Sequence, residues 1–402
     1  MFFLLLLSIF TFISALGTFI IERYSFSNAP FLQNINSEKP IETSLTIIIP
    51  AYNEELNIAK CLKSLSEIKR PSVNFNILVV DDLSTDKTFL EAKKLKEEIF
   101  KNSKELEIIS SGKRPEDKNW VGKNWPCYVG SKKINSEWIL FIDADVILGK
   151  NCIYNALFKA REDNIDLLSL APKVNCNCLA EWMVQPIMTS LLMIGFPISD
   201  TNDSRNNTSF AAGPFMLFKK ESYELIGGHE GTFDEVVEDI ALAKKIKNRN
   251  LKLNFLIAIK DISLNMYQDF NSLIEGWSKN WFLGLEKDLF RSISGSIFVF
   301  LNFSLPWLLF FISLIILFNN YSLNILCTTL FSFLALCTYL FKRIWLKLKY
   351  EIPSKYWYLN GIGGLIVFYI SLLSIYKTYT GNGWTWKGRN SVSYTHLRAH
   401  ET

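Results

Sequence analysis

The sequence predicts an α/β domain of parallel strands flanked by membrane helices, on three observations. An apolar run of strand length, Trp138-Ile139-Leu140-Phe141-Ile142, breaks directly into Asp143-Ala144-Asp145. A buried parallel strand reads this way when it delivers acids to the sheet edge where open α/β folds bind ligands. Two earlier strand-like runs, 46–49 and 77–80, also end in polar or acidic residues and precede helical patterns, so parallel pairing places those ends on the same edge. Finally, residues 2–21 carry no charge and are long enough to span a bilayer core.

Taken in order, residues 1–22 read as a retained N-terminal anchor, because no basic region precedes the apolar run and it stops at Glu22-Arg23. Residues 23–44 are a polar, aperiodic linker. The domain runs over 45–290. Its first helix is expected over 55–68 with Leu56, Ala59, Leu62 and Leu65 inward. A lysine-rich amphipathic helix to about residue 101 follows Asp81-Asp82-Leu83-Ser84, and a third strand is expected at 106–110. Helices at 126–134 and 152–162 bracket the Asp143 strand, and 167–171 reads as another strand. Residues 179–199 and 270–290 are apolar or amphipathic enough to lie at a membrane surface. Apolar runs at 294–318, 321–341 and 357–376 predict C-terminal membrane helices, followed by a basic aromatic tail at 377–390. Residues 391–402 differ in kind, supply two of the three histidines, and read as a non-native end.

Composition excludes several classes. A net charge of +4 is small and scattered, which argues against nucleic acid. Lys342-Arg343 through Lys349 reads as a cytoplasmic membrane flank. Seven cysteines without a paired framework suit free thiols in a reducing compartment. His229 is alone before residue 390, which nearly excludes imidazole-based metal sites.

The chemistry-bearing positions are few. Asp143 and Asp145 offer hard oxygen ligands suited to Mg2+ or Mn2+. A loop at 112–125 interleaves Lys113, Arg114, Lys118 and Lys123 with Trp120 and Trp125, which fits either phosphate contact or a solvated, tryptophan-anchored loop. Phe210 to Phe218 combines a small-residue turn with a strand, where backbone could approach a ligand closely. Asp234, Glu235, Glu238 and Asp239 precede a helix at 240–247, and four acids exceed what a cap needs.

Together, Pro50-Ala51-Tyr52-Asn53-Glu54, Asp81-Asp82-x-Ser84, Asp143-x-Asp145 and Glu238-Asp239 resemble the family 2 inverting glycosyltransferases of GT-A (Rossmann-like) fold over roughly residues 46–287. Trp120-Val121-Gly122-Lys123 and Trp386-Lys387-Gly388-Arg389 resemble the membrane-bound branch that glycosylates ceramides, carotenoids and hopanoid-type lipids. The resemblance implies that Tyr52 and Glu54 hold the base and ribose of a UDP- or GDP-sugar and that Asp82 contacts the base. It further implies that Asp143 meets ribose and metal, that Asp145 ligates Mn2+ or Mg2+, and that Asp239, beside Glu238, is the general base. Lys123 would neutralise the departing diphosphate. Processive synthases of the family carry Gln-x-x-Arg-Trp, where this chain has Glu275-Gly276-Trp277-Ser278-Lys279-Asn280-Trp281. That departure implies single-sugar transfer, with Trp277, Lys279 and Trp281 as acceptor-side candidates.

The expected function is therefore transfer of one sugar to a lipid hydroxyl by a multi-pass cell-membrane protein with a cytoplasmic catalytic domain. A processive polysaccharide synthase and a non-catalytic nucleotide-sugar-binding protein are the alternatives. Four spans and a cytoplasmic domain would leave residues 377–389 outside, against the basic bias of inner loops, so the expected topology does not close.

Overall fold

Strands that are apolar at every position need cover on both faces, and alternating side chains provide two surfaces to cover. In the computed structural model, which describes residues 1–27, 29–35, 39–101, 104–380, 384–386 and 389–391, this happens along β4 (Trp138–Ile142) and the apolar stretches of β1 (Ile41–Ala51) and β2 (Ser72–Asp81), while β3 (Leu106–Ser110) closes one edge of the sheet and is partly exposed. Ile47, Ile49, Val79, Leu140 and Ile142 pack with Cys61, Leu62, Ala92 and Ala156 of helices Ile58–Ser66, Thr88–Glu98 and Cys152–Glu162. Ile48, Val80, Ile139 and Phe141 face the other way, against Cys127, Leu242 and Ile246 of helices Asn124–Lys133 and Glu238–Asn248.

Further along the chain come β5 (Val146–Leu148), β6 (Leu167–Ala171), β7 (Lys173–Val174), β8 (Phe215–Lys219), β9 (Leu253–Ile257) and β10 (Ile262–Leu264). The main sheet has the order β3-β2-β1-β4-β8-β6-β9, and β5, β10 and β7 form a smaller one. The β1–β2, β2–β3, β1–β4 and β6–β9 pairs are parallel. The sheet is mixed, because β8 runs antiparallel to both β4 and β6. Because Phe215 pairs with Ile142, the chain enters β8 at the edge where β4 delivers Asp143. The small-residue turn therefore lies beside the acids. Strands β5, β7, β9 and β10 were not expected from the sequence, since two to five residues give too little periodicity to separate from loop. The first helix also starts later than expected: Leu56 is 59% exposed, and Ile58, Cys61, Leu62 and Leu65 form the inward face.

This sheet domain makes up one of two compact units, comprising Ala29–Asn175, Ile198–Met266 and the end of the chain. The other comprises Met1–Asn28, Cys176–Pro197 and Tyr267–Thr380. It holds four helices long and apolar enough to cross a membrane, Phe2–Phe26, Leu289–Asn319, Leu323–Tyr350 and Trp357–Tyr379, and a shorter apolar helix, Leu179–Gly195. Lys342, the first residue of the basic cluster read from sequence as a membrane flank, is buried and donates to Glu22 Oε1 at 2.9 Å and Ser190 Oγ at 3.3 Å. An amine and a carboxylate this deeply buried compensate each other's desolvation, tying the N-terminal helix to the third span. Lys387, Gly388 and the foreign-looking end from Val392 lie outside the described residues.

Helices of this unit approach most closely at glycines, as small residues allow. A Cβ at Gly363 would run into the Met183 carbonyl, whereas one at Gly195 meets nothing within 4 Å. Gly363→Ala is therefore expected to lower the thermal midpoint of the detergent-solubilised protein by several degrees, about 1–3 kcal/mol of overpacking, with Gly195→Ala near wild type.

Candidate active site

Three strand ends supply the site. The loop after β1 and the loop after β2 are knitted together: Asp82 N donates to Ala51 O at 2.8 Å, Asn53 N to Ser84 Oγ at 3.1 Å, and Thr85 N to Asn53 Oδ1 at 2.9 Å. Asn53 takes φ 52°, a left-handed conformation that asparagine tolerates better than most residues, and this turns Glu54 away from the strand direction. Glu54 Oε2 accepts from Asn57 Nδ2 at 2.9 Å. After β4, Asp143 and Asp145 are half-buried while Ala144 between them is buried. The Cys61 thiol reports their convergence: burial pushes its pKa up, and Asp145, Glu54 and Asp143 push it further.

Lys123 sits at the centre of this edge. Its Nζ lies 2.5 Å from Asp143 Oδ1 and 3.1 Å from Glu238 Oε1. Burial alone would lower the pKa of this ammonium, but Asp143 and Glu238 outweigh it and hold Lys123 well above the ordinary lysine range. The loop carrying Lys123 is pinned to the segment preceding the acidic helix: Val121 N donates to Phe233 O at 2.9 Å and Asn124 Nδ2 to Glu235 O at 2.8 Å. Trp120 packs against Trp125, Tyr128 and Phe233, and Gly122 takes φ 53°. The tryptophans thus anchor the loop, and of its basic residues Lys118 pairs with Glu230 at 3.0 Å while Arg114 turns inward to Asp82.

Asp239 opens the helix Glu238–Asn248. Its Oδ2 accepts from Gly213 N at 2.9 Å and its Oδ1 from Ile240 N at 2.8 Å. Burial and the neighbouring Glu238 raise its pKa to about 6, against the lowering pull of Lys123 and the two amides. Gly213 is a position that sequence reasoning had marked only as part of a small-residue turn. A Cβ there would stand 2.9 Å from Lys123 Nζ and 3.2 Å from Asp239 Oδ2, so the backbone closes onto the charged cluster because no side chain intervenes. Ser169 Oγ fixes that turn through Ala212 N at 2.8 Å.

Among the described residues no group of three or more His, Cys, Asp or Glu side chains is arranged to hold a metal. The donor set nevertheless fits a hard divalent cation: it is all carboxylate, and Asp143 already holds a cation in the form of the Lys123 ammonium. Imidazole is absent from it. Among the described residues the one histidine, His229, is a core residue, stacked edge-on to Phe141, 2.8 Å from Tyr223 Oη, and lowered by burial to a pKa of about 3.

A second cluster surrounds Asp82, which is 1% exposed. Ser111 Oγ donates to its Oδ1 at 2.9 Å, and Arg114 Nη2 and Arg389 Nη1 each donate to its Oδ2 at 2.6 Å. Arg389 also lies 3.6 Å over the ring of Tyr52. Neither arginine was assigned to the site from sequence, because pairings across 32 and 307 residues leave no local periodic signal. The remaining candidates belong to the helical unit, on helix Phe270–Gly284. Trp277 is buried there and donates from Nε1 to Gln185 Oε1 at 3.2 Å, Trp281 packs beside Gly295, and Lys279 is half-buried.

A sheet of this order with acids gathered at one edge defines an α/β fold of GT-A type. The solved mannosyltransferase PcManGT from Pyrobaculum calidifontis, in complex with GDP-Man and Mn2+, shares the fold at TM-score 0.53 and 14% identity, over 93% of this chain and 99% of that one. Residues 46–227 match the family described as Glycosyl transferase family 2. The chain is 28% identical over 273 residues to a 4,4'-diaponeurosporenoate glycosyltransferase of Staphylococcus haemolyticus (strain JCSC1435), covering 67% of this chain and 69% of that protein. It is 29% identical over 240 residues to the protein of the same name from Staphylococcus aureus (strain MRSA252), covering 59% and 60% respectively.

Because Lys123 lowers the Asp239 pKa, Lys123→Met should move the acid limb of the pH–rate profile from about 6 to higher pH, besides reducing the rate. The sign follows from removing a positive charge that favours the ionised carboxylate. An acid limb at unchanged pH in the residual activity would contradict the placement of Lys123.

Proposed function

We propose that this protein is a metal-dependent, inverting glycosyltransferase of the cell membrane that moves one sugar from a UDP- or GDP-sugar to a hydroxyl of a lipid acceptor on the cytoplasmic face. The observation that carries the reading is Asp239: a half-buried carboxylate at a helix N-terminus, raised to a pKa of about 6, beside a lysine bridged to Asp143. A base poised near neutrality accepts a proton in the transition state while remaining ionised at working pH. The four apolar helices and the named substrate of the staphylococcal relatives support a lipid-like acceptor.

In this reading Tyr52 and Glu54 hold the nucleoside and Asp143 the ribose. Asp239 takes the proton from the acceptor hydroxyl as its oxygen bonds to the anomeric carbon. The bond from that carbon to the diphosphate oxygen breaks with its electron pair, and Lys123 meets the charge that develops there. Asp143 and Asp145 would hold the divalent cation, Mn2+ or Mg2+, whose chemistry is to neutralise the departing diphosphate. A single displacement inverts the anomeric centre, so an α-linked donor gives a β-linked product.

Asp239→Asn separates this role from a structural one. Asparagine has the same shape and keeps one acceptor oxygen for the Gly213 or Ile240 amide, so the fold should be retained while turnover falls by about two to four orders of magnitude. The assay is incubation of membranes with radiolabelled nucleotide sugars followed by lipid extraction. Wild-type turnover in this variant at saturating substrates would remove Asp239 from the chemistry.

A further inference from the structure

The C-terminal segment brings one described side chain to the sheet domain. β11 (Trp384–Trp386) and β12 (Arg389–Ser391) pair antiparallel, and Arg389 reaches back across more than three hundred residues to the loops after β1 and β2. Its guanidinium lies 3.6 Å over Tyr52. Its edge donates to Asp82 Oδ2 at 2.6 Å, to Asp82 O at 2.5 Å and to Leu83 O at 3.3 Å.

These contacts have the form of base recognition. A uracil or guanine ring is also planar and also presents N–H on one edge, one in uracil and several in guanine, and a tyrosine face flanked by a carboxylate and two carbonyls would receive either. Guanidinium and base cannot share the slot. Tyr52 is 6% and Asp82 1% exposed with Arg389 in place, and Asp82 already accepts from Ser111, Arg114 and Arg389.

Asp82 keeps a charged partner without Arg389. Arg114 neutralises Asp82 by itself and is fixed by Trp120 O and Gly122 O, both at 2.8 Å, so losing the second arginine leaves no unpaired buried charge. A two-stranded ribbon contributes little stability of its own, which makes release of the arginine inexpensive.

We propose that Arg389 is an internal stand-in for the nucleobase: the C-terminal ribbon lays its guanidinium on Tyr52 and Asp82, and the base of an incoming nucleoside diphosphate displaces it. The inference rests on the reading of Tyr52 and Asp82 as the base site. A ligand that must displace an occupant binds with its intrinsic affinity reduced by the fraction of open protein.

The test is equilibrium binding of UDP and of GDP to the full-length detergent-solubilised protein and to Arg389→Ala, Arg389→Lys and Tyr52→Ala. Arg389→Ala should tighten binding of at least one nucleotide by roughly 2- to 30-fold, the range spanned by a cation–π contact, with Arg389→Lys in between because it keeps the charge but loses the planar fork. Unchanged or weaker binding by both nucleotides in Arg389→Ala overturns the proposal. Tyr52→Ala distinguishes that failure from failure of the donor reading. Tighter binding in Arg389→Ala that persists when Tyr52→Ala is added to it keeps the cover but removes the base from Tyr52. Weaker binding in Tyr52→Ala with no gain in Arg389→Ala keeps the donor site and removes the cover.

Discussion

The ion pairs of Lys123 are the constraint on which the site depends. Asp143 arrives at the end of a buried strand and Glu238 at the start of a helix on the opposite face of the sheet. Two carboxylates brought this close repel unless a cation lies between them. Lys123 supplies it, at 2.5 and 3.1 Å, and its position is set by main-chain hydrogen bonds and tryptophan packing that bind its loop to the segment before Glu238. Asp239 then occupies the next position on the helix, where Glu238 and burial raise its pKa while Lys123 and two amides keep it ionisable.

Glycine and chain reversal complete the arrangement. Had β8 run parallel to β4, the turn at Gly213 would lie at the far edge of the sheet. Running antiparallel, it starts opposite Ile142 and offers its amide to Asp239. The same edge therefore gathers parallel strand ends, a helix N-terminus and an antiparallel strand start, and each contributes a different group: carboxylates, backbone donors and one ammonium.

Much of this was legible in the residues. The apolar run ending at Asp143 gave a strand and its edge, because a fully buried strand must stop where charge begins. The acids at 238 and 239 stood out as more than a cap requires, and Lys123 was marked by its place among tryptophans. What was not legible was pairing at a distance. Arg114 reads as one of four loop cations, yet it is a buried partner of Asp82. Lys342 reads as part of a membrane flank, and its pairing with Glu22 is not visible there. Arg389 reads as part of an interfacial tail, yet its guanidinium lies on Tyr52. In each case a charged residue adjoins an apolar or aromatic stretch, and the tertiary partner that fixes its place lies far away in sequence.

The central claim is a single displacement in which Asp239 activates a lipid hydroxyl against a nucleotide-linked sugar. The most direct measurement is the anomeric configuration, by proton NMR, of the sugar in the lipid-extractable product formed from an α-linked nucleotide sugar. A β-linkage is the result this account predicts. An α-linkage, or label found only in insoluble polymer, would contradict it.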